Sequence, residues 1–291
     1  MATTVIITIA AMIIPNMIIP NMIIPNMIIP NMIVPKTRAT ETAAPETMPT
    51  GPDPDQRPAG GAANGLDPAG LMRLLAWLSP AFPTGAFSYS HGLEQSVADG
   101  LVTNRETLVP WVQTVIRNGT GRIDATLFVA AHKAASAGDR AALLDVAELA
   151  AAHHATAELA LESTAQGAAF LTAVQAAWPC GAVAALATAW DGPLALPVAV
   201  GVAAAGHGLA VQAALTGYLH AIAANLIGAG VRLIPLGQTD GLLALAALEA
   251  PIFQAVDAAI DRPLADLGGA SPLVDWASAA HENLYARLFR S

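Results

Sequence analysis

Apolar residues recur at helical spacing over most of the chain from residue 66 onward. The first such segment carries leucines at positions i, i+3, i+4 and i+7, namely Leu71, Leu74, Leu75 and Leu78. Asp67 is its predicted N-cap, and Pro68 suits the first helical position. Because no segment alternates apolar and polar residues at the period of a β-strand, the sequence predicts an all-α fold, a single helical bundle over residues 66–291.

Capping and stop residues divide this region into further predicted helices. Thr103 to Glu106 has the form of a capping box, and helical periodicity then runs from Ile123 to Ala137 and from Arg140 to Trp178. The most apolar stretch, LALPVAVGVAAAG at 194–206, has thirteen residues. A membrane span needs about 20 apolar residues, so this stretch is predicted to be a buried core helix.

The first part of the chain has a different pattern. Residues 12–35 read MIIPNMIIPNMIIPNMIIPNMIVP, with a proline at every fifth position. Each proline removes a backbone donor and clashes with the preceding turn, which excludes an α-helix there. The residues that follow are rich in Pro, Thr, Gly and Ala, as disordered linkers are. We therefore expect residues 1–65 to be a disordered low-complexity extension of the folded domain at 66–291.

Composition and charge limit the classes of partner. The net charge is −9 and lysine and arginine form no cluster, so nucleic acid and anionic membranes are not expected partners. Cys180 is the single cysteine, which excludes an intramolecular disulfide and favours a reducing compartment, so we expect a cytoplasmic protein. Hydrophobic residues make up 54% of the chain and charged residues only 12%. This composition keeps an integral membrane protein rich in small residues as an alternative.

Candidate catalytic and metal-binding residues are few. His154 and Glu158 stand at i and i+4 in a predicted helix, where such a pair can bind a transition metal, but no third ligand follows at a recognisable spacing. The chain has no phosphate-binding loop, dinucleotide fingerprint, nucleophile elbow or H-E-x-x-H motif. The sequence therefore predicts a non-enzymatic protein with no stably bound cofactor. A histidine-based metal-binding enzyme is the alternative that His154 and Glu158 would support.

Three segments carry aromatic, proline and polar residues that helix packing does not require. We call them the opening loop (SPAFPTGAFSYSHGLE, 79–94), the Arg232 turn (VRLIPLGQTDG, 231–241) and the C-terminal segment (HENLYARLFRS, 281–291). Prolines fix φ in the opening loop and Gly85 permits a positive φ, so this loop can hold a specific shape. Tyrosine and arginine, which are enriched at interface hot spots, recur in the C-terminal segment. Composition leaves two interpretations of that segment open, a docking segment or a final helix packed on its own bundle.

We predict that these three segments contact partner proteins. In the opening loop the predicted contact residues are Ser79, Pro80, Pro83, Gly85, Phe87, Ser88, Tyr89, Ser90, Gly92 and Glu94. In the Arg232 turn they are Arg232, Pro235, Gly237 and Gln238, and in the C-terminal segment they are Glu282, Tyr285, Arg287, Leu288, Phe289 and Arg290. A narrower interpretation of the loop makes Phe82 and Phe87 core anchors and leaves Tyr89, Ser90 and His91 to face a partner.

In their order along the chain, the three segments resemble the signature motifs of the UreF family of urease accessory proteins. LESTAQGAAFL at 161–171 and PVAVGVAAAGHGL at 197–209 are weaker matches, and the resemblance covers residues 71–291. It implies an all-α, dimeric, non-enzymatic chaperone for nickel insertion, bound to a UreD-type (UreH) accessory protein, a UreG-type GTPase and apo-urease. It also implies that the complex handles nickel, and that the chain has a role in modulating GTP hydrolysis.

The same resemblance gives expectations for individual segments. Residues 285–291 are expected to order against the UreD-type partner, and the opening loop is expected to contribute to an interaction surface. The chain departs from the family pattern just before LESTAQG, where HHATAELALE has fewer arginines and glutamates than the family would have.

Overall fold

The structure, a computed structural model, describes residues 67–291, and the extension expected at 1–65 lies outside the described residues. Within residues 67–291 the chain forms helices and turns and has no β-strand, which confirms the all-α prediction. The α-helices in chain order are α1 (Pro68–Trp77), α2 (Leu93–Ala98), α3 (Arg105–Arg117), α4 (Thr120–Ala137), α5 (Arg140–Ala152), α6 (Ala157–Ala177), α7 (Gly181–Ala189), α8 (Leu196–Gly206), α9 (Val211–Leu233), α10 (Gln238–Ala246), α11 (Glu249–Ile260) and α12 (Pro272–His281). Short 3₁₀-helices lie at Ala86–Ser88 and Leu264–Asp266.

Helix α8 forms the centre of the core, where it packs against α4, α6 and α7. Its residues from Pro197 to Ala204 are all buried. Glycines bring the neighbouring backbones close, since a Cβ added at Gly201 would lie 2.7 Å from the carbonyl oxygen of Phe128 on α4. A backbone contact at this distance leaves no room for a side chain, so small residues are what the packing requires. The buried position of α8 confirms the core-helix prediction for 194–206.

The predicted helix starts are correct with one shift. Asp67 caps α1, as predicted, and accepts a backbone N–H of the first turn. Helix α3 is capped by Asn104, whose side-chain oxygen accepts the N–H of Thr107 at 3.0 Å. The Thr107 hydroxyl accepts the N–H of Asn104 at 3.2 Å in return. These two residues satisfy each other's backbone donors and so form a capping box at 104–107. It starts one residue later than the box predicted at 103–106.

The helical periodicity from Arg140 to Trp178 is divided between α5 and α6. The hydroxyl of Thr156 accepts a backbone N–H in the first turn of α6 and so caps a new helix. His154 lies in the connection between the two helices, whereas Glu158 lies in the first turn of α6. The two side chains therefore do not share a helix face, and the helical pairing on which the metal prediction rested is wrong.

Within the part of the chain that the structure describes, two stretches are long and apolar enough to cross a membrane by length and composition alone, α9 and the run through α10 and α11. Half of the apolar window in α9 is buried inside the protein, where Leu215 and Leu219 belong to the core. Residues 247–248 separate α10 from α11. A core helix of a soluble protein has the same composition, so these stretches give the membrane alternative only weak support.

Candidate functional site

The opening loop, the end of α9 and the C-terminal segment meet on one side of the fold. Arg232, in the last turn of α9, donates a hydrogen bond to the carbonyl oxygen of Phe87 at 2.9 Å. The backbone N–H of Arg290 donates to the carbonyl oxygen of Ser88 at 2.8 Å. Three segments that are distant in sequence thus form one continuous structure, which we call the tail surface.

Glu94, in α2, holds the C-terminal segment through its backbone. Its carboxylate accepts the N–H of Leu288 at 2.7 Å and the N–H of Phe289 at 2.9 Å. Glu94 is only 8% exposed, so these bonds replace the water that its charge would otherwise require. The contact recognises the backbone, and it fixes the position of the C-terminal segment whatever side chains stand at 288 and 289.

His281 is completely buried between two carboxylates. Its Nε2 lies 3.0 Å from Oε2 of Glu94, and its Nδ1 lies 2.7 Å from Oε2 of Glu158. Each ring nitrogen therefore faces a carboxylate oxygen at hydrogen-bond distance. Arg287 donates to the other oxygen of Glu158 at 2.8 Å. This charged network joins α2, α6 and α12 to the C-terminal segment.

Ser291 lies against the opening loop and α6. The N–H of Ser90 donates to the main-chain oxygen of Ser291 at 2.9 Å, and the Ser291 hydroxyl donates to Oε2 of Glu162 at 2.7 Å. The same carboxylate oxygen lies 3.3 Å from Nδ1 of His91. The other ring nitrogen of His91 lies 2.8 Å from the hydroxyl of Thr120 at the start of α4. A line of hydrogen bonds therefore runs from α4 through the loop to the C-terminal segment.

The groups around His91 have shifted pKa values. Burial opposes the charge on the ring, but Glu162, together with Asp124 and Asp275, outweighs it and raises the pKa of His91 above its ordinary value. Asp124, on α4, accepts the hydroxyl of Tyr218 at 2.7 Å. Burial raises the pKa of Asp124 to about 6, against the opposing effects of the Tyr218 hydrogen bond and His91. The interior beside the tail surface thus holds a histidine and a carboxyl whose pKa values are both raised.

Arginine side chains connect the aromatic residues of the tail surface. The Arg232 guanidinium lies 3.5 Å from the ring centre of Phe87 and 4.4 Å from that of Phe289. The Arg290 guanidinium lies 5.5 Å from the ring centre of Tyr89. Cation–π contacts of this kind contribute about 0.5–2 kcal/mol each, depending on desolvation.

The predicted contact residues divide by exposure. The exposed ones are Pro80, Pro83, Gly85, Phe87, Pro235, Gly237, Gln238, Glu282, Tyr285, Arg287, Leu288 and Arg290. Ser79, Ser88 and Arg232 are partly buried. Tyr89, Ser90, Gly92, Glu94 and Phe289 are buried. In this conformation the buried group holds the tail surface together, and the exposed group is available to a partner.

The structure reverses part of the narrower interpretation of the opening loop. Phe82 does anchor the loop, with its ring centre 5.4 Å from that of Phe170, but Phe87 is 64% exposed. Tyr89, Ser90 and His91 are buried instead of facing outward. The His91 ring, the Ser90 backbone and the Tyr89 carbonyl oxygen have polar partners inside the fold, whereas the Phe87 ring stacks on a single guanidinium at the surface.

Sequence reasoning did not select Glu162 or His281 as site residues. Both lie in segments that it had singled out, Glu162 in LESTAQG and His281 at the start of HENLYARLFRS. The available signal was a charged residue among apolar neighbours in a predicted helix. Such a residue has to find a buried partner or reach solvent, and only the tertiary structure shows which it does.

The described side chains of the region do not form a metal centre. Residues 67–291 contain no set of three His, Cys, Asp or Glu side chains placed to hold a metal ion. A cavity of about 310 Å³ lies beside the start of α4, lined in part by Asp124, His154 and Asp275. Burial lowers the pKa of His154, which favours the neutral ring there. Glu158, its former predicted partner, is occupied by His281 and Arg287.

The chain is similar in sequence to proteins of one family. A family model described as UreF matches residues 102–249. A protein of Granulibacter bethesdensis named urease accessory protein UreF is 51% identical over 223 residues, which is 77% of this chain and 94% of that protein. Proteins of the same name from Rhodopseudomonas palustris and Bradyrhizobium diazoefficiens are 49% and 47% identical over 77% of this chain, and the matches cover 94% and 92% of those proteins.

Proposed function

Since this chain belongs to the UreF family of urease accessory proteins, we propose that it acts in urease maturation as a non-enzymatic chaperone for nickel insertion. The relatives are named as accessory proteins of urease, and the chain is likewise an accessory protein and not an enzyme. In the proposed assembly it binds, as a cytoplasmic homodimer, a UreD-type (UreH) protein, a UreG-type GTPase and apo-urease. Nickel is the cargo of this complex, and the chain modulates GTP hydrolysis by the GTPase.

The observation that carries this proposal is the tail surface. It presents Phe87 and Leu288, each about two-thirds exposed, and a fully exposed Tyr285. Arg287 and Arg290 are exposed in the same segment. Aromatic and arginine side chains are the residues that most often supply the binding energy of an interface. The buried backbone contacts of Glu94 hold these side chains in place before a partner arrives, which lowers the entropic cost of binding.

The direct test is co-purification of the full chain with the UreD-type and UreG-type proteins. We expect a Tyr285→Ala, Leu288→Asp variant to reduce recovery of the UreD-type protein about tenfold or more, because it removes two exposed contact side chains. Deletion of residues 280–291 would be less informative, since it also removes the buried His281. Point substitutions leave the network of Glu94, Glu158 and His281 intact.

Met72 provides a matched control. It is an exposed apolar residue on α1, and it is 67% exposed. We expect Met72→Asp to leave recovery of the UreD-type protein unchanged. Full assembly by the Tyr285→Ala, Leu288→Asp variant would show that the tail surface is not the docking site. Absence of any complex with the unaltered chain would contradict the proposed function itself.

A further inference from the structure

The imidazole of His91 connects two parts of the fold with the C-terminal segment. It contacts Thr120 at the start of α4 and Glu162 on α6. The Glu162 oxygen that it contacts is also the oxygen that accepts the Ser291 hydroxyl. A single carboxylate oxygen therefore serves both the imidazole and the C-terminal segment, and the charge on the ring acts on both contacts.

The charged groups that act on the ring are all acidic. Glu162 faces it from α6, Asp124 from α4 and Asp275 from α12. His91 itself is only 6% exposed. A charged ring offsets the repulsion within this group of carboxylates, whereas a neutral ring removes that counter-charge.

The backbone of the loop carries this effect to Ser291. His91 has a φ of 58°, the one positive φ among non-glycine residues 67–291, and Gly92 follows with a φ of 76°. A Cβ at Gly92 would lie 2.7 Å from the backbone nitrogen of Ser278, so the turn is pressed against α12. Ser90, directly before the turn, donates its N–H to Ser291. A strained turn of this kind persists only while its surroundings hold it.

We infer that docking of the C-terminal segment is linked to a proton on His91, with the segment held more tightly when the ring is charged than when it is neutral. Neutralising the ring removes the counter-charge of Glu162, which then repels the neighbouring carboxylates. The turn at 91–92 relaxes, and the contacts of Ser291 with Ser90 and Glu162 weaken together. This link lies beyond the proposed function, because it is a property of the chain alone and needs no partner.

The sign of the effect follows from the direction of the pKa shift. The pKa of His91 in the folded chain is raised above 6.5. The stabilisation is therefore fully present below the ordinary histidine pKa and is lost as the pH rises through the raised value. Docking should weaken with rising pH, with a midpoint above pH 6.5.

A spin label on the C-terminal segment tests the link in the full chain. Cys180 is the single cysteine, so a Cys180→Ala, Leu288→Cys variant takes one nitroxide, and the Leu288 side chain is 65% exposed. We measure the mobile fraction of the label by electron paramagnetic resonance from about pH 5.5 to 9. We expect the mobile fraction to increase with pH. No change over this range would overturn the inference.

Two further substitutions assign the response to His91. His91→Gln keeps polar groups in the ring position but cannot be charged, so the label should be mobile at all pH values in this range. Glu162→Gln removes the carboxylate that responds to the proton, so the pH dependence should disappear. Circular dichroism shows whether His91→Gln folds. If it does not, Glu162→Gln alone tests the inference. His220 is exposed on α9, and His220→Gln should keep the unaltered profile. A pH response that persists in either His91→Gln or Glu162→Gln would contradict the inference.

Discussion

Glu94 accepts a hydrogen bond at 2.9 Å from the backbone N–H of Phe289, a residue 195 positions later in the chain. This contact makes the C-terminal segment part of the folded body. The Glu94 carboxylate also accepts from His281 and from the N–H of Leu288. Loss of any one of these donors would leave part of a buried charge unpaired, which destabilises the fold. The stability of the body and the position of the tail surface therefore depend on the same residue.

The first prediction concerns removal of the Glu94 charge. Glu94→Gln keeps the size of the side chain but replaces one acceptor oxygen by an amide that cannot accept. His281 then loses one of its two carboxylate partners, and one of the two N–H groups is left unsatisfied. We expect the free energy of unfolding to fall by about 3 kcal/mol, as it does when one partner of a buried charged pair is removed. Urea denaturation followed by circular dichroism measures this change.

Glu106→Gln is the control for this experiment. The Glu106 side chain is 67% exposed and its only ion pair in the described part of the chain is with Arg105. Its replacement should change the free energy of unfolding by less than about 0.5 kcal/mol. Equal effects of Glu94→Gln and Glu106→Gln would mean that the buried network contributes no net stability.

The main features of the fold were predictable from local sequence patterns. The core helix α8 lies within the apolar stretch at 194–206, and Asp67 is an N-cap as its position before Pro68 indicated. The periodicity of the first helix did not show which face is buried, since Leu74 is buried while Leu71 and Leu75 are exposed. Local spacing sets a helix, but the neighbours that cover it are set by the tertiary fold.

The tail surface was predictable only in part. Its three segments were recognisable because proline, aromatic and arginine residues are unusual in an alanine-rich bundle. Their convergence, and the burial of Tyr89 and Ser90, depend on contacts across 136 and 201 positions of the chain. The break at Thr156 was missed because the surrounding residues have helical periodicity on both sides. A hydroxyl cap in the middle of such a run gives a weak signal.

The second prediction concerns the close packing of α8. Gly201→Ala places a methyl group 2.7 Å from the carbonyl oxygen of Phe128, so α4 and α8 have to move apart. We expect a loss of about 1–3 kcal/mol in the free energy of unfolding, as for other overpacked cores. Gly228 on α9 is the matched control, because a Cβ there would have no atom within 4 Å.

Gly228→Ala should stabilise the protein by about 0.5–1 kcal/mol through the higher helix propensity of alanine. Thermal unfolding of both variants measures the two opposite shifts. A stabilising effect of Gly201→Ala would show that the contact between α4 and α8 is looser than the structure describes.

The third prediction concerns the pH dependence of stability at Asp124. The pKa of this carboxyl is raised from 3.8 to about 6 in the folded chain because the group is buried. The folded chain binds this proton more tightly than the unfolded chain, so the penalty on folding grows as the pH rises from 3.8 to about 6 and is constant above that. At neutral pH the buried charge costs on the order of 3 kcal/mol.

Asp124→Asn keeps an acceptor for the Tyr218 hydroxyl and carries no charge, so we expect it to unfold at higher urea concentration than the unaltered chain at about pH 8. The gain should decrease steadily below about pH 6, where the carboxyl of the unaltered chain is itself protonated. Asp145→Asn, at an exposed position on α5, should show no such pH-dependent gain. A gain of equal size at about pH 5 and pH 8, or a loss at both, would mean that burial of the charge is not what limits stability at this position.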